Sequence, residues 1–356
     1  MTEEGKGLRL AVSSSPHIRE PESVARAMWT VAGALLIPGA FGIYFFGVKA
    51  LLVIVVSVLS AVATEAFILG LMRGRRWNEA LDGSAVITGL LLAYVIPPNV
   101  PLWMPAVGSF VAIAVAKQAF GGLGRNIFNP ALVGRAFLMG SWPLFMTTGW
   151  IKPAMGFLSG SAAVDAVTEA TPLTALKNSL RALHDPAVPL AAKRQALLVI
   201  SQLSKPEVYK ALFFGNVGGC IGETSAVAIL LGAAVLLWKR YIDWRVPLTY
   251  ILTVALFSWV FCGPKPFGGD PIFHILSGGL FLGAFFMATD WVTTPITPLG
   301  RVIFAVGAGF IVVVVRAWGG YPEGVCYSIL IMNAVTPLID RYVRPRKFGE
   351  RRGERR

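Results

Sequence analysis

Long apolar runs, separated by short segments that hold most of the charge, constrain this chain more than any other feature. About 20 apolar residues cross a bilayer, and shorter runs do so when tilted or broken. On that basis about ten spans are predicted. They lie near 29–47, 50–72, 83–97, 102–120 and 131–147, then 213–238, 246–262, 272–289, 301–318 and 322–340. Glycine and polar residues interrupt 83–97 and 213–238, so those two are the least sharply bounded. Only 14% of the 356 residues are charged, against about a quarter in soluble domains, which places the chain among integral membrane proteins.

The net charge of +13 would suit a nucleic-acid partner, but the positions of the charges argue against one. Eight basic residues (Arg341, Arg344, Arg346, Lys347, Arg351, Arg352, Arg355 and Arg356) follow the last apolar run. A basic tail there reads as a contact with anionic lipid on the cytoplasmic side. The inner short loops and their edges would hold Arg73, Arg75, Arg76, Lys117, Arg125, Lys239, Arg240, Arg245 and Arg301. The outer ones would hold only Lys49, Lys265 and Arg316. Both termini are therefore expected inside. The first 28 residues lack a continuous apolar core, so no cleavable signal peptide is expected. The resulting divisions are a cytoplasmic segment 1–28, five helices over 29–147, a polar extracytoplasmic loop 148–212, five helices over 213–340 and a basic tail 341–356.

The two halves resemble each other. Lys117-Gln118-Ala119-Phe120-Gly121-Gly122 recurs as Val315-Arg316-Ala317-Trp318-Gly319-Gly320, and Thr88-Gly89-Leu90 aligns with Ser277-Gly278-Gly279. Five spans separate the copies, so they run in opposite directions, giving an all-α polytopic 5+5 inverted repeat. That architecture alone would equally suit a flavin-free solute channel or secondary transporter. Cys220, Cys262 and Cys326 are widely spaced, with no CxxC pair, so neither a metal site nor a four-thiolate cluster is predicted.

The polar loop contains Asp165-Ala166-Val167-Thr168-Glu169-Ala170-Thr171-Pro172-Leu173. Thr171 reads as a helix N-cap, Pro172 as the first helical residue, and Leu173 to Leu183 as an amphipathic helix. The glycine cluster at 121–124 lacks the Gly-Lys-Ser/Thr ending of a phosphate loop. It reads as tight packing, a broken helix or a polar re-entrant stretch whose backbone Asn126 and Asn129 would satisfy. Among ionisable groups in the spans, Glu65 is the deepest carboxylate. Glu223, Asp290 and His274 lie nearer boundaries, where capping and packing compete with function.

Asp165, Thr168, Ala170 and Thr171 match an Asp-x-x-Ser/Thr-Gly-Ala-Thr segment, with Glu169 standing where glycine is usual. Here the chain resembles the D-subunit family of the Rnf electron-transport complex and its relative, the B subunit of the sodium-pumping NADH:quinone reductase. The likeness extends to Gly121–Ala131, Gly219–Ser225, Phe285–Asp290 and Gly319–Val325. The short N-terminal segment favours the Rnf D subunit. The resemblance implies FMN joined through its phosphate to Thr171, installed by a flavin transferase, with Thr171 an attachment point and no residue catalytic. It leaves room for a second, noncovalent flavin such as riboflavin, with Arg125, Asn126, Asn129, Glu223 and Thr224 as candidate flavin surroundings. Glu65 and Asp290 become candidates for an Na⁺ or H⁺ path. The implied setting is a bacterial or archaeal inner membrane, with the A, B, C, E and FMN-bearing G subunits of Rnf as partners. The chain alone is not expected to have complete activity.

Overall fold

The computed structural model describes residues 22–74, 77–148, 150–151, 153 and 171–344. Asp165, Thr168 and Ala170 of the loop motif lie outside the described residues, as do residues 1–21 and the basic tail beyond Arg344. Every regular element among the described residues is helical.

The first helix, α1, runs Val24–Phe67 and continues through a wider turn at Ile68–Met72, 49 residues in all. It is not one rod. Gly47 takes φ 68° and ψ −152°, a conformation open to a residue without a Cβ, and divides the run into two arms. The sequence predicts two spans here, separated close to that glycine. Helix α13, Pro298–Ala317, is 20 residues long. These two stretches are the described helices long and apolar enough to cross a membrane; α2 (Ser84–Tyr94), α9 (Ala226–Trp238) and α10 (Arg245–Phe261) are apolar but shorter.

Several other predicted spans are broken, each at a residue with a physical reason to break it. The run at 83–97 stops being helical at Tyr94, short of Pro97 and Pro98. Helix α3, Trp103–Ile113, passes into a wide turn at Ala114–Gln118 and ends at the glycine cluster. There the backbone forms a tight turn, and Arg73 donates to the carbonyls of Gly121 and Gln118. The run at 131–147 becomes α4, Pro130–Ser141, and the short α5, Pro143–Thr148, divided at Trp142-Pro143. The polar loop contributes α6 (Pro172–His184), α7 (Leu190–Leu203) and α8 (Pro206–Phe214). The run at 272–289 splits into α11, Pro271–Leu276, and α12, Leu280–Leu282, which opens into a wide turn at Gly283–Met287. Helix α14, Val325–Tyr342, closes the chain.

Non-helical backbone inside a membrane protein needs partners within the protein. The loop before α9 finds them on α2 and its end. Gly222 N donates to Tyr94 O at 3.0 Å and Ile221 N to Ile96 O at 3.3 Å. A Cβ on Gly222 would stand 2.4 Å from Tyr94 Cβ, so this approach requires glycine. The Tyr94 hydroxyl donates in turn to Leu35 O on α1 at 2.6 Å. One apolar core, including Leu35, Tyr94, Ile221, Phe286 and Phe304, therefore runs through both halves. A smaller cluster of Leu173, Leu176, Leu212 and Phe273 fastens α6 and α8 to α11. That second cluster sets the position of Thr171.

Candidate functional site

Thr171 is the N-cap of α6, with Pro172 at the first helical position. Its Oγ1 accepts from Thr174 N at 3.2 Å and lies 2.8 Å from Thr174 Oγ1. The helix start is preset by proline's fixed φ and fastened by the burial of Leu173 and Leu176. Amide N–H groups and the positive end of the helix dipole meet at such a terminus, a favourable place for a phosphate. Thr171 is half-buried and lines a small cavity that it shares with Cys220, Glu223, Thr224, Gly278 and Glu323. Two of the other predicted residues, Glu223 and Thr224, are thus brought beside Thr171.

Arg135 reaches into this region from α4. It donates to Glu223 at 2.7 Å and to Glu323 at 2.9 Å, and its side chain is 5% exposed. Glu323 also accepts from Gly279 N. One guanidinium thus joins the first half of the chain to two carboxylates of the second. Burying such charges is costly unless each is paired and hydrogen-bonded, as they are here. Arg135 and Glu323 were not among the sequence candidates. The rule that singled out Glu65, an ionisable group within an apolar run, applies equally to Arg135 within 131–147.

A second cavity gathers Thr88, Lys117, Asn126, Asn129 and Asp290 among apolar side chains such as Leu91 and Phe286. Asn129 is already committed to local structure. Its Oδ1 accepts from Ala131 N and Leu132 N as the N-cap of α4, and its Nδ2 donates to Met287 O. Asn126 Nδ2 donates to Phe128 O, which holds the turn after the glycine cluster. Asp290 accepts from Thr293 Oγ1 at 3.2 Å. Arg125 is exposed and lines neither cavity. The candidate flavin surroundings therefore divide into two separate sets.

Glu65 lines neither cavity. Its carboxylate lies 2.7 Å from Lys117 Nζ and accepts from Gln118 Nε2 at 2.8 Å, and Lys117 also donates to Ser84 Oγ at 2.6 Å. Both members of the pair are buried. Lys117, read from the sequence as a loop-edge charge, is the group that joins Glu65 to the second cavity. Among the described residues no cluster of three or more His, Cys, Asp or Glu could hold a metal ion, and the three cysteines are free and buried.

The residues present fit a flavin in two respects. The half-buried Thr171 hydroxyl sits at a helix N-terminus beside a cavity, and the second cavity offers a few polar groups in apolar walls, the usual composition of a cofactor site. Residues 11–349 match the sequence model of the NQR2, RnfD, RnfE family. The chain is 49% identical over 342 residues to the D subunit of the proton-translocating ferredoxin:NAD(+) oxidoreductase complex of Clostridium ljungdahlii, with 96% of each chain covered. It is 45% identical over 342 residues to the D subunit of the Na(+)-translocating ferredoxin:NAD(+) oxidoreductase complex of Acetobacterium woodii, again with 96% of each covered. To the D subunit of the ion-translocating oxidoreductase complex of Stutzerimonas stutzeri it is 42% identical, with 92% of each covered.

Proposed function

Because the chain belongs to the NQR2, RnfD, RnfE family, we propose that it is the membrane-embedded D subunit of an Rnf-type complex, which couples electron transfer between ferredoxin and NAD⁺ to ion translocation. The near full-length likeness to the D subunits of such complexes supports this reading, and Thr171 at the start of α6 is the observation that carries its flavin part. FMN would be esterified through its phosphate to the Thr171 hydroxyl by a flavin transferase. When bound, a flavin supplies redox chemistry that no side chain here offers. The start of α6 would hold the phosphate, and Leu173 and Leu176 keep that helix end fixed against α8 and α11. Thr88, Asn126 and Asp290 would surround a second, noncovalent flavin such as riboflavin, while Lys117 is committed to Glu65 and Ser84. A channel or transporter without flavin has no use for the attachment motif. The partners would be the other Rnf subunits, in particular the FMN-bearing G subunit.

The chain would cross the membrane ten times as an inverted repeat, with both termini in the cytoplasm and the loop of α6, α7 and α8 outside. The structure buries Lys117 and Arg316, both counted from the sequence among loop charges. Removing one from each side leaves the inner excess of basic residues in place. An Arg194→Cys variant lacking Cys220, Cys262 and Cys326 is expected to react with an impermeant thiol reagent from the outer face alone. Labelling from the cytoplasmic face only would invert the topology.

Glu65 with Lys117, and Asp290, are the candidates for the ion path. The similar complexes are named for protons in one case and Na⁺ in the other, so the coupling ion is left unassigned. Glu65→Gln alone would leave the Lys117 ammonium buried without its counter-charge, a loss of about 3–5 kcal/mol in comparable pairs. The paired variant Glu65→Gln with Lys117→Gln removes both charges. In vesicles holding the whole complex, the paired variant is expected to keep ferredoxin-dependent NAD⁺ reduction while moving fewer ions per electron. An unchanged ion-to-electron ratio in the assembled complex removes Glu65 from the path. Absence of ferredoxin-dependent NAD⁺ reduction in the wild-type complex would overturn the functional reading itself.

A further inference from the structure

A third cavity, open to solvent, lies between one face of α6 and the C-terminal ends of α10 and α13. Lys177, Arg181, His184, Lys265, His274 and Arg316 line it, and none of its lining residues is acidic. Two of these groups are deeply buried, Arg316 at 4% exposed and His274 at 2%.

Arg316 is the informative one. Its Nη1 donates to His274 O at 2.5 Å and its Nη2 to Ser277 O at 3.0 Å, while its Nε has no partner. No carboxylate stands within 4 Å of it among the described residues. Glu323, across Gly278, is committed to Arg135 and to the Gly279 amide. The ring nitrogens of His274 also lack hydrogen-bond partners. Lys177 Nζ donates to Val315 O at 2.9 Å and Tyr321 O at 2.5 Å, which leaves its third proton for another acceptor. Burial, with Arg181 adding repulsion, holds the Lys177 ammonium down at about 8. A guanidinium hydrogen-bonded to backbone carbonyls alone, with Lys177 and Arg181 beside it and no acidic residue in the lining, favours an anion.

The mouth of the cavity says which kind of anion. Phe261 closes α10 and Trp318 follows α13, with their rings 5.4 Å apart, and Phe267, packed on Trp259 at 5.2 Å, also lines the cavity. Phe261, Trp318 and Phe267 are 44%, 63% and 60% exposed. Exposed tryptophan at the end of a membrane helix sits at headgroup depth, and the two phenylalanines extend that rim with apolar surface. A small hydrated anion gains nothing from an aromatic rim. An amphiphile with a phosphate at one end and acyl chains at the other matches both parts.

We propose that this cavity binds the phosphate of one anionic phospholipid, held by Arg316 and Lys177, with its acyl chains lying along α10 and α13. The assignment rests on the reading that those two helices end at the membrane surface, and it is independent of flavin attachment.

The test uses the full-length chain in nanodiscs of phosphatidylcholine with phosphatidylglycerol, with retained lipid counted by native mass spectrometry. The wild type is expected to hold one phosphatidylglycerol in about tenfold preference to phosphatidylcholine. Arg316→Gln is expected to lose most of that preference, since each basic residue near a lipid surface contributes about a fivefold change in affinity. Arg316 also secures the break after α11, so Lys177→Gln with Arg181→Gln serves as a second variant that leaves it in place. If the first variant does not fold, the second decides. Equal retention of the two lipids by the wild type overturns the proposal, as does full preference in the second variant. Complete displacement of the lipid by millimolar inorganic phosphate would make this a free-phosphate site and overturns the lipid assignment. Because the readout needs no flavin, an unmodified Thr171 would leave the lipid result standing, and loss of the lipid site would leave the flavin assignment untouched.

Discussion

Replacing Thr171 with alanine is expected to abolish covalent flavin on the chain. Wild-type protein produced together with a flavin transferase should carry the added mass of one FMN moiety, and its denatured band should fluoresce. The Thr171→Ala protein should do neither. The loss is all-or-none because the ester oxygen would be the Thr171 Oγ1 itself. The same substitution removes the N-cap bond to Thr174 N, at a cost of about 1 kcal/mol. That is too little to unfold a helix whose Leu173 and Leu176 are buried, so lost flavin can be separated from lost fold. Thr171→Ser keeps both the hydroxyl and the cap and is expected to fold as the wild type does. An unmodified Thr171 peptide from the wild type under these conditions would sink the attachment. Glu169, where the resembling family has glycine, then becomes the residue to change.

Arg135→Met is expected to be the most damaging single substitution to the fold. It would leave Glu223 and Glu323 buried with no cation between them. Breaking one side of a buried ion pair costs about 3–5 kcal/mol, a large share of the stability of most domains. The expected result is a sharp drop in monodisperse protein after solubilisation and a lower unfolding temperature. Adding Glu223→Gln and Glu323→Gln to Arg135→Met removes the uncompensated charge and is expected to recover most of the loss. A wild-type unfolding temperature for Arg135→Met alone would show that the two carboxylates need no cation. A charge cluster of this kind next to Thr171 also fixes the polarity of the cavity there. For that reason the triple variant is expected to fold yet alter any flavin held against it.

The sequence by itself determined whatever depends on neighbours along the chain. Apolar runs declare a membrane protein because each residue is priced by its own transfer to lipid. The start of α6 was legible in Thr171-Pro172, a side-chain acceptor before a proline suited to the first helical position, and Asn129-Pro130 and Thr297-Pro298 begin α4 and α13 by the same rule. The proline and glycine that break 83–97 and 272–289 were equally visible, although their effect on a run read as one span was not. Tertiary structure decided the partners. Glu65 meets Lys117 across 52 residues, and Arg135 meets Glu223 across 88 and Glu323 across 188. Nothing local fixes those separations. They follow from which broken helix ends pack together, as Gly222 does on Tyr94. The same packing put Thr171, Glu223 and Thr224 at one cavity and Asn126, Asn129 and Asp290 at another. A list of polar residues gives their chemistry, but a buried charge persists only where distant chain brings it a partner, and that is a property of the folded molecule.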